Sequence, residues 1–431
     1  MHSFTHLAYI DPGTGSMLFT VIIGIVFALS FALKNFFIKI KFLFSSGEAK
    51  KTAISRLGFV LFSEGERYQN VFAPILDEFE KRGIDCEYWT ASKKDGILSK
   101  EYTHVHPSFI GEGNKAFAKL NMMNADICLA TTPGLDVYQW KRSKKTSCYV
   151  HIFHSLDDGT VYRMFGLDYY DAVLTPGAFT EERLRALEKI RGTRKKDILA
   201  VGCTYMDVLA KRLANNEISS DKETTVLLAP SWGESAILSK YGEVIIKALL
   251  STGYHIVVRP HPQSKTAEPK ILEHLETTFA NQDNLSWNYD SDNYDILNKS
   301  DILITDFSAV IFDFALIFDK PVIYADTSFD SAPYDASWLE HQPWTFDVLP
   351  RIGKKLDQND FPNMKAFIDE MLSNDAYAKS RHEVKEEALA NPGKSAEAIV
   401  DFLVAKQAQS ADMANNSNEL AADTQTLKEG I

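Results

Sequence analysis

The stretch Asp301-Ile-Leu-Ile-Thr-Asp-Phe-Ser-Ala-Val-Ile-Phe-Asp313, continued by Lys320-Pro-Val-Ile-Tyr-Ala325, decides the fold. Residues 302–304 read as a short apolar strand, and Thr305, Asp306 and Ser308 as a polar turn. A helix with one acidic residue follows, and residues 322–325 are a second apolar strand. Strand, turn, helix and strand in that order make a βαβ unit, with the turn at the carboxyl end of a parallel strand. Open α/β sheets bind ligands at that edge, where free N–H groups and the positive end of the helix favour phosphate.

The same alternation runs through most of the chain. Apolar segments at 57–62, 86–89, 127–130, 148–153, 172–174 and 198–201 predict strands, with helices over 69–82 and 179–190. A polar run over 215–223 interrupts the pattern. It then restarts with strands at 225–229 and 255–259 and helices over 241–250 and 269–279. The fold class is therefore α/β, with two consecutive parallel-sheet halves enclosing a cleft. Helices expected over 364–372, 376–388 and 395–408 are placed on the second half. The expected divisions are 1–50 (anchor), 51–215, 216–408, and a disordered tail over 409–431, where little can be buried.

The 431 residues suit two domains, and the formal net charge of −12 argues against a nucleic-acid partner. Cys86, Cys128, Cys148 and Cys203 are widely spaced in or beside apolar runs, which predicts four buried thiols rather than a zinc or disulfide framework. From Met17 to Leu33 no residue is charged; Lys34, Lys39 and Lys41 follow, interleaved with Phe36, Phe37, Phe42 and Phe44. This predicts an N-terminal membrane helix continuing as an amphipathic segment in contact with lipid, and lysines on its C-terminal side alone place the bulk of the protein in the cytoplasm, on the inner membrane.

Candidate chemistry gathers at strand ends. In Arg259-Pro-His-Pro262 the prolines fix an extended exit, so Arg259 and His261 point in set directions toward phosphate oxygens. In the turn, Thr305, Ser308 and the N–H groups near Ala309 are phosphate ligands, with Asp306 as the helix cap. Asp313, one helical turn after Ala309, is placed to accept hydrogen bonds from a ribose diol. Ala229-Pro-Ser-Trp232 puts Ser231 at a third strand end. His154, ending an apolar strand before Asp157-Asp-Gly159, is a candidate general base; His151, three residues earlier, faces the other side of the strand. No phosphate-binding G-x-x-x-x-G-K-[ST] loop, zinc H-E-x-x-H helix or G-x-S-x-G elbow occurs.

Arg259-Pro-His-Pro262, Thr305-Asp-Phe-Ser-Ala-Val-Ile-Phe-Asp313 and Lys320-Pro-Val-Ile-Tyr324 together resemble the CDP-glycerol glycerophosphotransferases, the teichoic-acid primases and polymerases. The segment Ala229-Pro-Ser-Trp232 is similar to the family's Ala-Pro-Thr-Trp. In the wider superfamily the last motif reads Asp-Ser-Gly-Gly-x-x-x-Glu, and Asp306, Ser308, Ala309 and Asp313 fall on its first, third, fourth and eighth places. The resemblance is specific over residues 225–326. Before that, Phe153-His-Ser-Leu156 keeps only the His of the family's Trp-His-Gly-Thr.

The resemblance implies two Rossmann-like domains facing a cleft, the type B glycosyltransferase architecture. It implies a CDP-linked donor, most simply CDP-glycerol. Arg259, His261, Ser231, Thr305, Ser308 and Ala309 would lie on its phosphates and Asp313 on its ribose. His154 and His261 are the catalytic pair, with His154 deprotonating the acceptor, a membrane-bound glycolipid or polymer. No cofactor or metal is called for. A nucleotide-sugar glycosyltransferase of the same fold and a non-catalytic, membrane-tethered nucleotide-binding protein remain as alternatives.

Overall fold

The computed structural model describes residues 56–215, 223–325 and 329–410. The expected membrane segment and most of the expected tail lie outside these residues. Among the described residues no helix is long and apolar enough to cross a membrane.

Two parallel sheets form the framework. The first contains β1 (Leu57–Ser63), β2 (Cys86–Thr90), β3 (Val105–Phe109), β4 (Asn124–Ala130), β5 (Lys145–Ile152), β6 (Ala172–Thr175) and β7 (Asp197–Ala200), in the order β3-β2-β1-β4-β5-β6-β7. The second contains β8 (Thr225–Leu228), β9 (His255–Val258), β10 (Leu285–Trp287), β11 (Ile302–Thr305), β12 (Val322–Ala325) and β13 (Lys354–Leu356), in the order β10-β9-β8-β11-β12-β13. Every strand pair is parallel, including β8 with β11 and β11 with β12. In both sheets the order reverses beside the first strand, opening the crevice in which α/β folds bind ligands.

Unbroken apolar runs make these strands because helices cover both faces. In the second half Leu227, Val257 and Leu303 pack on one face with Phe312, Phe314 and Leu349. Val226, Leu228, Val258 and Ile304 pack on the other with Ile245, Leu249 and Ile368. Full burial of one such side chain contributes about 1.5–3 kcal/mol. The helix expected over 241–250 begins earlier, at Ile237, and is broken at Gly242 (φ 39°, ψ −117°).

Three edge strands, β3, β10 and β13, were absent from the sequence reading. They are short, and β3 carries Pro107 and the exposed His106. A helix over residues 395–410 corrects a placement: it covers the first sheet, not the second. Its Ile399, Val400 and Leu403 pack with Phe59, Leu61 and Phe79, and Arg82 pairs with Asp401 at 2.6 Å. The helix Thr204–Asn215 also joins the halves. Met206 and Leu209 enter the second core, while Thr204 Oγ1 donates to the Val71 carbonyl at 2.7 Å.

Two buried carboxylates hold the halves together. Asp335 accepts the N–H groups of Phe165 (2.7 Å) and Gly166 (3.3 Å) and pairs with Arg191 at 2.5 Å. Asp158 accepts the Trp344 N–H at 2.6 Å and the Thr160 N–H at 2.9 Å. The four cysteines are buried and free, and burial pushes their thiols up.

Candidate active site

A cavity of about 370 Å³ lies between the two halves at the carboxyl ends of the strands. Arg67, Tyr68, Asn70, His154 and Tyr205 line it from one side, and Arg259, His261, Asn293, Ser308 and Asp313 from the other. His154, Arg259, His261, Ser308, Ala309 and Asp313, all expected from sequence, therefore share one space. Among the described residues no group of three or more His, Cys, Asp or Glu side chains is placed to hold a metal ion.

The two histidines are held differently. His261 Nδ1 accepts the Gln263 N–H at 3.1 Å, so the proton of the neutral ring sits on Nε2 and is available to a ligand oxygen. Its ring stacks on Trp232, with centroids 6.4 Å apart. The His154 ring meets the edge of Tyr68 at 5.3 Å, and its buried Nδ1 has no hydrogen-bond partner. Burial first, then the positive charge of Arg67, lowers each imidazole to about 4. Both rings are consequently neutral at pH 7, so one can accept a proton while the other donates a hydrogen bond. His151 lies behind them, fully buried among Phe153, Tyr162 and Tyr170 and lowered by burial to about 3.

Asp313 opens a π-helical turn over Asp313–Ile317, directly after the short helix Val310–Phe312. Such widened turns recur at functional sites. One carboxylate oxygen accepts the Tyr205 hydroxyl at 3.2 Å; the other is buried with no partner, and burial raises the group to about 7. A buried carboxylate facing a polar cavity with one unfilled acceptor suits a hydroxyl-bearing ligand. Arg259 hydrogen-bonds Asn288 and the Asp290 carbonyl beyond β10, which fixes its guanidinium at the cavity wall.

Three expected site residues do other work. Thr305 is fully buried and its hydroxyl donates to the Ala229 carbonyl at 2.7 Å, so it ties β11 to the end of β8. Ser231 is outside the cavity lining, and its N–H goes to Asp306 at 2.8 Å. Asp306 does not occupy the N-cap of the helix that follows it, which falls to Ala309. Instead it accepts the N–H groups of Ser231, Ser308 (3.1 Å) and Ile237 (3.0 Å), joining two strand-end loops and a helix start. Burial raises it to about 6.

Arg67, Tyr68, Tyr205 and Asn293 were not singled out from sequence. Arg67 and Tyr68 follow the carboxyl end of β1, a strand-end position that was the one available signal. Tyr205 and Asn293 carried no local signal, because their role arises only where the halves meet.

The family model of CDP-Glycerol:Poly(glycerophosphate) glycerophosphotransferase matches residues 167–404. The teichoic acid poly(glycerol phosphate) polymerase of Bacillus spizizenii strain W23 is 26% identical over 171 residues. That match covers 36% of this chain and 40% of the relative, less than half of either. A solved wall teichoic acid polymerase superposes with a TM-score of 0.54 at 14% identity, covering 82% of this chain and 89% of the other. The UDP-GlcNAc 2-epimerase of Neisseria meningitidis gives 0.54 at 13% identity, covering 81% and 100%. At those identities the structures attest the fold alone, the two-sheet architecture of type B glycosyltransferases. The family match takes in Arg259, His261, Ser308 and Asp313, begins after His154, and spans more than half of the chain, which therefore belongs to the CDP-glycerol glycerophosphotransferase family.

Proposed function

We propose that this protein moves glycerol phosphate, or a related alditol phosphate, from CDP-glycerol to an acceptor hydroxyl during synthesis of a cell-surface polymer such as teichoic acid or a capsule-like chain. One observation carries the reading: two neutral histidines from opposite halves line a single cavity with the Ser308 turn and Asp313.

In this reading Asp313 accepts the ribose diol. Arg259, the His261 Nε2–H, the Ser308 hydroxyl and the N–H groups opening the helix at Ala309 hold the diphosphate. The acceptor hydroxyl gives its proton to His154 as its oxygen bonds to the phosphorus that carries glycerol. The bond from that phosphorus to the bridging oxygen breaks, and CMP leaves with the electron pair. Burial and the charge of Arg67 make His154 a weak base on their own. The anionic donor offsets Arg67 and raises its basicity when it is needed. Donors aimed at the transferring group stabilise the charge that develops there. The acceptor is a membrane-bound glycolipid or polymer at the cytoplasmic face of the inner membrane.

The test is product release from purified protein and membranes. CMP appearing with CDP-glycerol, and lost in His154→Asn, supports the reading. UDP appearing with UDP-sugars and no CMP would instead make this a glycosyltransferase. Neither product, with donor binding intact, would leave a nucleotide-binding protein without transfer activity.

A further inference from the structure

Lys320 opens the Lys320-Pro-Val-Ile-Tyr324 motif, yet it lies outside the cavity lining and the transfer step makes no use of it. Its ammonium donates to three backbone carbonyls, those of Leu297 (3.2 Å), Asn298 (2.5 Å) and Ser300 (2.7 Å). They stand at the end of the short helix Tyr294–Lys299, where carbonyls find no partner within the helix. An ammonium carries three N–H groups, so each carbonyl receives one. Burial lowers Lys320 to about 8, which leaves it charged at pH 7.

The lysine is itself held on both sides. Asp319 precedes it with φ 52°, and buried Arg381 fixes that turn through the Asp319 carboxylate (3.0 Å) and carbonyl (3.2 Å). Pro321 follows, and its carbonyl accepts the Leu303 N–H at 3.2 Å where β12 joins β11. The ammonium lies 5.7 and 5.8 Å from the ring centres of Phe314 and Phe318. Phe314 belongs to the π-helical turn that Asp313 opens.

Two connections therefore leave Lys320 and meet at one hydroxyl. Along the first, the chain runs back through Phe314 to Asp313. Along the second, the helix that Lys320 caps runs back to Asn293, its N-cap residue, whose carbonyl accepts the Leu297 N–H at 3.0 Å. Asn293 and Asp313 both bond the Tyr205 hydroxyl, at 2.8 and 3.2 Å. A helix this short has no stability of its own in water. Tyr294 and Leu297 anchor one face in the core, and Lys320 anchors the end.

We propose that Lys320 is a positioning residue for nucleoside recognition: by holding the end of this helix it sets Asn293 against Tyr205 and Asp313. This role rests on the cleft taking a nucleotide, as proposed above. It adds a residue outside the cleft that decides how well the ribose end of the donor fits.

Lys320→Met keeps an unbranched stem over the two rings and removes all three donors. Hydrogen exchange in the full chain should quicken at Leu297 and Ser300, whose N–H groups bond the Asn293 and Ile296 carbonyls, and stay unchanged in β8 and β11. CDP-glycerol affinity by calorimetry should fall about tenfold, the size of one lost hydrogen bond to a charged group, while kcat at saturating donor changes less than about twofold. Pyrophosphate, which has no ribose, should bind parent and variant alike. Lys320→Arg keeps the charge and several donors; it should recover part of the affinity, and it carries the test if Lys320→Met fails to fold. Unchanged exchange overturns the proposal. So does faster exchange with unaltered donor affinity, which would make Lys320 a stabilising cap alone, and so does an equal loss for pyrophosphate, which would mean a general loosening of the cleft. If the parent binds UDP-sugars and not CDP-glycerol, the reaction proposed above fails; the same loss measured with the UDP-sugar would still uphold the positioning role, and its absence would overturn it. A parent that binds neither overturns both.

Discussion

The hydroxyl of Tyr205 lies 3.2 Å from Oδ2 of Asp313 and 2.8 Å from Oδ1 of Asn293, so one side chain from the helix joining the halves steadies the acidic end of the cavity. Removing that donor in Tyr205→Phe pushes the Asp313 carboxyl still higher and leaves a poorer acceptor for a ribose hydroxyl. A hydrogen bond to a charged group contributes about 1.5–3 kcal/mol. Donor affinity measured by calorimetry at pH 7 should therefore fall by roughly tenfold or more, with partial recovery at pH 8.5. Unchanged affinity would remove Tyr205 from the site.

Asp313 links donor binding and stability to pH in opposite directions. Burial raises it to about 7 in the folded protein, from an ordinary value of 3.8. The ionised form accepts the diol, so donor affinity should rise as pH increases through 7, and Asp313→Asn should abolish that dependence. For folding, a carboxyl raised in the native state supports stability fully below pH 4, and this support is lost as pH climbs to 7. Asp313→Asn should thus be more stable than the parent at pH 8, by up to about 4 kcal/mol, and equal to it near pH 4. Denaturant melts at the two pH values decide this.

A base lowered to about 4 predicts an unusual acid limb. In the Asp313→Asn background, kcat/KM should hold from pH 7 down to about 5, well below the 6.5 of an ordinary imidazole. His154→Asn should lower kcat by about 10²–10⁴ with donor affinity little changed. Arg67→Ala should move the acid limb upward, because Arg67 adds to the lowering of His154. A limb near 6.5 in the Asp313→Asn background would mean that His154 is not buried as described.

Asp306 and Thr305 should prove structural when altered. Asp306→Ala leaves the N–H groups of Ser231, Ile237 and Ser308 without their acceptor, a loss of about 3 kcal/mol or more. Thr305→Val forfeits one hydrogen bond to the Ala229 carbonyl, about 1 kcal/mol, with donor affinity unaltered. A Thr305→Val protein of normal stability but impaired donor binding would restore Thr305 to the phosphate site.

The parts legible in the sequence were those written in consecutive residues. The long apolar runs of β1, β4 and β5 announced both-face burial, and the turns after β9 and β11 carried Arg259, His261, Ser308 and Asp313 on motif spacing. What could not be read depended on distant contacts. Thr305 and Ser308 are both hydroxyl residues of one turn, yet only the Ala229 carbonyl, at the end of the neighbouring strand, decides that Thr305 turns inward. Tyr205 shows nothing locally beyond an ordinary helix start. The strands β3, β10 and β13 stand at sheet edges, where pairing on one side needs less apolar sequence than burial demands.

The helix over residues 395–410 sets an order on how the chain can be finished. Phe59, Leu61 and Phe79 are synthesised early, but their covering residues Ile399, Val400 and Leu403 follow only after the whole second sheet. At 5–20 residues per second, the ribosome needs on the order of 10–40 s to travel from the end of β7 to that helix. Throughout that interval the first half keeps an apolar face open, and a nascent chain must shield it by other means. A stop codon just before that helix would therefore strike the half of the protein made first.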